Sequence, residues 1–173
     1  MSTPDINLGS IRPMLMSDLT MILAWRNHID VRQYMYTQHE ISLDEHIEWF
    51  EEVLLDSSKN CLIFEYNGVP TGFVSLNLRD TCSFADWGFY VAPLTKKGIG
   101  KLLGVSALNY AFNELKLRKV YGQAIAYNER SIAFHSRLGF VIEGKMPEPY
   151  FDGTNFHDVI CFGLMADEWE EGI

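Results

Sequence analysis

Six consecutive residues, Lys96, Lys97, Gly98, Ile99, Gly100 and Lys101, combine three full positive charges with two glycines. They follow Trp87 to Val91, a strand-forming run, and open into an apolar stretch through Leu102, Leu103, Val105 and Leu108. A helix is expected to begin there. Its first backbone N–H groups have no partner within the helix and carry partial positive charge. Glycine lets a ligand approach that backbone closely. The chemistry that suits a strand, a glycine turn and a helix N-terminus is the grip of a pyrophosphate. Spacing excludes two nucleotide fingerprints. Position 103 is Leu where a dinucleotide loop needs its third glycine, and the Gly-x-x-x-x-Gly-Lys-Ser/Thr pattern is absent.

A second polar group lies downstream, in Ala126-Tyr127-Asn128-Glu129-Arg130-Ser131 and on to His135, ahead of Leu138-Gly139-Phe140. Strand, Asn, short helix and Leu-Gly-Phe resemble the second half of the GCN5-related N-acetyltransferase (GNAT) family. Thr95 to Gly100 resembles the coenzyme loop of the same family, and the likeness runs from about Ile6 to Trp169. The resemblance implies an acetyl-CoA-dependent enzyme that needs no metal. It places the coenzyme pyrophosphate on Lys96, Lys97, Gly98, Ile99, Gly100 and Lys101, and the pantetheine arm on Asn128, Ser131 and Val91. In the family a Tyr seven positions after the Asn usually reaches the coenzyme sulfur; here that position is His135. Thr95 is a second departure, standing where Gln or Arg is expected.

Acetyl transfer from a thioester requires a neutral amine, an oxyanion stabiliser and a proton donor for the departing thiolate. A thiol of pKa about 8.5 asks only for a modest acid. His135 and Tyr90 are the two candidates for that catalytic role. An alkyl amine, with pKa about 10, is mostly protonated at neutral pH. An amino group on a sugar ring is less basic, and a side chain or an ordered water can serve as its base. Gln123 lies where this fold often carries an acidic residue; as an amide it can only hydrogen-bond.

The N-terminal half narrows the resemblance. Ala24-Trp25-Arg26-Asn27, then Val31 to Tyr36, then Ile41 to Phe50 resemble a subgroup from pseudaminic acid biosynthesis, which leads to flagellin glycosylation. That subgroup acetylates the 4-amino group of a UDP-linked 4-amino-4,6-dideoxy sugar. The likeness implies substrate contacts for Arg26, Met35, Tyr36 and His46, with Gln123 as a hydrogen-bond partner. Two other readings stand beside it. The acceptor could be a protein N-terminus or a polyamine, and a polyamine would want a set of carboxylates. Alternatively the chain is a non-catalytic module that senses acyl-CoA, a reading kept alive by Thr95 and His135.

Composition sets the frame for these residues. At 173 residues and 47% hydrophobic, a single domain over 1–173 is expected. A membrane span, which takes about 18 or more apolar residues, and an export signal are not expected. Cys61, Cys82 and Cys161 have no Cys-x-x-Cys spacing and read as reduced thiols of a cytoplasmic protein. A net charge of −9 speaks against a nucleic-acid partner. The expected partner is a small nucleotide sugar, with a homo-oligomer left open.

Periodicity then predicts the elements. Ile6 to Arg12 reads as a strand, and Ser17-Asp18 caps a helix to about Asn27. Ser42 and Glu45 fit a capping box for a helix burying Ile47, Phe50, Val53 and Leu54. Asn67-Gly68 reads as a tight hairpin turn, and Cys82 to Val91 as the next strand. A helix from Gly98 to about Leu117 crosses over to Val120–Ala126, making that strand parallel to its predecessor. The expected class is α+β, the GNAT acyl-CoA N-acyltransferase fold. Its sheet is mixed and mostly antiparallel, split at two central parallel strands, with helices on both faces.

Overall fold

Alternation along the strands dictates a sheet buried on both sides. Leu62 and Phe64 point to one face and Ile63, between them, to the other, and all three are fully buried. A computed structural model describes residues 9–79 and 83–170. The strands are β1 (Ser10–Pro13), β2 (Lys59–Tyr66), β3 (Val69–Leu78), β4 (Phe84–Val91), β5 (Lys119–Ile125), β6 (Val141–Phe151) and β7 (Phe156–Met165). They form one sheet in the order β1-β2-β3-β4-β5-β7-β6, and the pairing of β4 with β5 is its parallel step. Asn67 and Gly68 both take positive φ in the β2–β3 turn, as a two-residue hairpin with right-handed twist requires.

Five helices cover the two faces: α1 (Leu19–Asn27), α2 (Ile29–Arg32), α3 (Leu43–Leu55), α4 (Ile99–Asn109) and α5 (Glu129–Arg137). On one face α4 buries Leu103, Val105, Ala107 and Leu108 against Leu62, Phe64, Val74 and Leu76. On the other, Leu19 and Ile22 of α1 and Phe50 and Val53 of α3 pack on Ile63 and Phe73. Asp18 fixes the entry to α1 from the side: its carboxylate takes two hydrogen bonds from Arg12, at 2.7 and 3.0 Å, and one from the Leu15 amide.

Several boundaries differ from expectation. The first strand is described only from Ser10, so Ile6 to Leu8 lie outside the described residues, as does Cys82. The crossover helix is α only to Asn109; a π turn over Tyr110–Glu114 follows, and Lys116 at φ 55° ends it. In α3 only half of the capping box forms. Ser42 Oγ accepts from the Glu45 amide, but the Glu45 carboxylate turns to His39 instead. Phe50 and Val53 of α3 are buried and Ile47 packs beside them as expected, but Leu54 is 62% exposed and His46, at 4%, turns inwards.

The parallel pair is short. Phe84, Ala85 and Asp86 pair with Lys119, Val120 and Tyr121, and the ladder stops there. From Trp87 and Gly122 onward the two strands part, which opens the sheet at its centre.

Candidate active site

His135 comes to rest at that fork, in a different setting from the one its spacing implied. It is 1% exposed, with its ring stacked on Phe162 at 4.4 Å and edge-on to Phe140 at 5.0 Å. Its Nδ1–H donates to the Ser131 carbonyl at 2.8 Å, and its Nε2 accepts from the Trp87 indole at 3.1 Å. A Cβ at Gly122 would fall 2.5 Å from His135 Nε2 and 2.8 Å from Trp87 Nε1, so glycine is required opposite the pair. Both ring nitrogens are therefore spent. In this arrangement His135 packs among the rings of the fork, with its Nδ1–H held by a backbone carbonyl.

Burial holds the His135 pKa down at about 4, with the Ser131 hydrogen bond opposing. The unfolded chain, at about 6.5, takes the proton first. Stability is then complete above about pH 6.5 and declines as pH falls towards 4, by about 2–3 kcal/mol at pH 4.5. Urea unfolding at pH 7 and 4.5 measures the loss, with His135→Phe as reference. That variant should be weaker at pH 7, because the Trp87 N–H loses its partner, yet shallower in its pH dependence. Parallel pH profiles for the two proteins would remove the assignment.

The anion loop is built as its residues suggest, with fewer free amides. Gly98 is the left-handed N-cap of α4 at φ 96°, and beyond its chain neighbours no atom lies within 4 Å of where its Cβ would stand. The Ile99 amide is used, donating to Lys96 O at 3.4 Å, and the Lys101 amide donates to Gly98 O at 3.1 Å. Among the described residues no hydrogen bond engages the amides of Lys97, Gly98 or Gly100. Three amides therefore remain at the helix N-terminus, beside the exposed Lys96, Lys97 and Lys101. Thr95 is accounted for locally: its hydroxyl donates to the Ala92 carbonyl and tightens the loop. Asn128 caps α5, its Oδ1 accepting from the Ser131 amide at 3.1 Å, which leaves Nδ2 as its donor. The Ser131 hydroxyl lies 3.4 Å from His135 Nδ1, turned towards the fork.

On the other face a chamber of about 370 Å³ brings together Arg26, Met35, His46 and Tyr90. Trp49, Phe73, Ser75, Gly88 and Phe89 complete much of its wall. Arg26 hangs from α1 and is held by one arm, Nη2 donating to Thr37 O at 3.0 Å. Its other arm, Nη1, and His46 Nε2 are buried without a hydrogen-bond partner. Such orphaned polar atoms are costly unless a ligand satisfies them. Burial lowers the pKa of His46, which makes it a neutral imidazole at pH 7, stacked on Trp49 at 5.0 Å. Burial also pushes the Tyr90 phenol well above its usual range, while its ring stacks on Phe73 at 5.1 Å.

Tyr36 and Gln123 lie beside this chamber, joined to each other. The Tyr36 hydroxyl donates to Gln123 Oε1 at 3.0 Å, and its ring meets Tyr150 edge-on at 5.5 Å. The segment after α2 thus bridges to β5. The strand carboxylates Glu65 and Asp86 pair with Arg12 and Arg79. His157 is half-buried, at 2.6 Å from Asp152. Sequence reasoning missed Phe73, Ser75 and Gly88. Their hairpin alternation was visible, but nothing marked which face would be hollow.

The profile of the Acetyltransferase (GNAT) domain family matches residues 10–141. The chain belongs to the GNAT acetyltransferases. It is accordingly an N-acetyltransferase of the family that takes its acetyl group from acetyl-CoA. Its sequence is 27% identical to acetyltransferase PseH of Campylobacter jejuni over 79% of this chain and 85% of that protein. It is 23% identical to spermidine N(1)-acetyltransferase of Escherichia coli K12 over 96% of this chain and 90% of that one. A solved structure of spermidine N-acetyltransferase from Vibrio cholerae, in complex with CoA and spermine, superposes with a TM-score of 0.85. The two share 24% identity, with 92% of this chain and 96% of that chain covered. Among the described residues of this acetyltransferase no helix is long and apolar enough to cross a membrane.

Proposed function

We propose that this acetyltransferase transfers acetyl from acetyl-CoA to the 4-amino group of a UDP-linked 4-amino-4,6-dideoxy sugar. The observation that carries the reading is the pair of unsatisfied atoms, Arg26 Nη1 and His46 Nε2, in a chamber walled with aromatic rings. An oxygen-rich, anionic acceptor satisfies the guanidinium, and its hydroxyl or amine satisfies the neutral imidazole. A polyamine would face Arg26 with one carboxylate in the wall, Glu45, whose oxygens already lie 3.0 and 3.2 Å from His39 Nε2. The likeness to PseH supports the same choice, and the comparable likeness to spermidine acetyltransferases is why it must be tested.

In this reading the amides of Lys97, Gly98 and Gly100, with the three lysines, hold the coenzyme pyrophosphate. Val91 and Asn128 Nδ2 guide its arm into the fork. The amine nitrogen forms a bond to the thioester carbonyl carbon, the carbon–sulfur bond breaks, and the amine proton leaves to water or to His46. Tyr90 acts as a hydrogen-bond donor to the negative charge that develops. Its phenol is a weaker acid than the thiol, so the proton is shared with the thiolate rather than surrendered.

A thiol-release assay with the sugar nucleotide, spermidine and a ribosomal-protein N-terminal peptide separates the candidate acceptors. The expected result is turnover of the sugar nucleotide alone. Turnover confined to spermidine or the peptide would overturn the assignment.

A further inference from the structure

Three rows of side chains cross the acceptor face of β2, β3 and β4. Ile63, Phe73 and Tyr90 form the first row, and Cys61, Ser75 and Gly88 the second. Lys59, Asn77 and Asp86 form the third. Bulk falls sharply at the middle row, where thiol, hydroxyl and hydrogen replace isoleucine and two aromatic rings. The consequence is a second chamber of about 300 Å³ between this low floor and Trp49 and Val53 of α3. It shares Trp49, Phe73 and Ser75 with the chamber that holds the unpartnered Arg26 and His46 atoms. The two chambers adjoin along these three residues, as the two halves of a trough beneath α3. It runs from Tyr90, near the parting of β4 and β5, to Lys59 and Asn77 at its far end.

The far end has a definite character. Lys59 keeps only a loose contact with Asp56, 3.9 Å away, while Asp86 is neutralised by a two-point pair with Arg79 at 2.6 and 2.8 Å. Asn77 offers a carboxamide, donor and acceptor side by side. Between them and the first chamber lies a slot bounded by an indole and a floor of small side chains.

We propose that this trough holds the nucleotide end of the acceptor. The base lies in the slot against Trp49, its imide edge is read by Asn77, and a phosphate or base carbonyl is met by Lys59. The inference rests on the nucleotide-sugar reading above and adds the residues that select for the nucleotide. It leaves the amino sugar in the first chamber, with its amine towards the fork.

The test compares two acceptors, the UDP-linked amino sugar and the same amino sugar lacking the nucleotide, in wild type, Lys59→Ala and Asn77→Ala. Both substituted positions are exposed, so the fold is not at stake. Each variant should raise KM for the nucleotide-linked acceptor by about tenfold, the scale of one lost polar contact, with kcat little changed. KM for the truncated acceptor should move less than about twofold. An equal shift for both acceptors, or none for either, would overturn the trough assignment while leaving the acceptor class standing. Wild-type enzyme that fails to acetylate the nucleotide sugar would overturn the acceptor class, and this inference with it.

Discussion

Tyr90→Phe is expected to lower kcat by about 10²- to 10³-fold, the usual cost of deleting one oriented donor to a developing anion. The substitution removes a single oxygen. The ring keeps its stack on Phe73, so the chamber wall should persist. Affinity for acetyl-CoA should stay within about twofold, because a contact made only in the transition state does not act in the ground state. The pH profile gives a second readout. Burial holds the Tyr90 phenol protonated across the physiological range, so no limb of kcat between pH 6 and 9 should vanish with it. His135→Ala, at the position where the family usually carries a Tyr, should act through stability instead. A loss in kcat for fully folded His135→Ala exceeding that for Tyr90→Phe would return the role to His135.

Gly98→Val is expected to weaken acetyl-CoA binding by at least about thirtyfold. At φ 96° a β-branched residue is strained by about 1–3 kcal/mol. Relieving that strain turns the amides of Lys97 and Gly98 away from a common target. Each charge-assisted hydrogen bond lost adds about 1.5–3 kcal/mol. Beyond its chain neighbours no atom lies within 4 Å of the missing Cβ, so the added side chain points into open space and the variant should fold. Calorimetry on the folded variant is the measurement. Unchanged affinity would mean that the pyrophosphate binds elsewhere.

Local chemistry made the turns and helix starts of this protein legible. A hairpin turn at Asn67-Gly68, a glycine at the mouth of α4 and an Asn cap before α5 each act within a few residues, and each stands where the pattern placed it. Function at His135 was not legible in the same way. Its surroundings come from Trp87, Gly122, Phe140 and Phe162, and the indole that occupies its Nε2 is 48 positions away. At the end of α3 Leu54 was misplaced for a related reason, although Phe50 and Val53 face the core as expected. Hydrophobicity alone sends Leu54 inwards, but the stack of His46 on Trp49 and the contact of Trp49 with Phe73 place His46 on the buried side instead. The chamber around Arg26 and His46 was not legible as a cavity, because the small Ser75 and Gly88 that hollow it out carry no pattern of their own.

The fork between β4 and β5 has one further consequence. Just past Asp86 and Tyr121 the sheet is parted by an indole and an imidazole locked together by a hydrogen bond. Nothing must be unzipped before an extended chain lays its own donors and acceptors along the free edge of β4. The cost of separating strands is met when the protein folds rather than deducted from affinity, which is what preorganisation means in thermodynamic terms. The exposed Lys96, Lys97 and Lys101 at the mouth of α4 add a local positive field that favours an anionic chain at that edge.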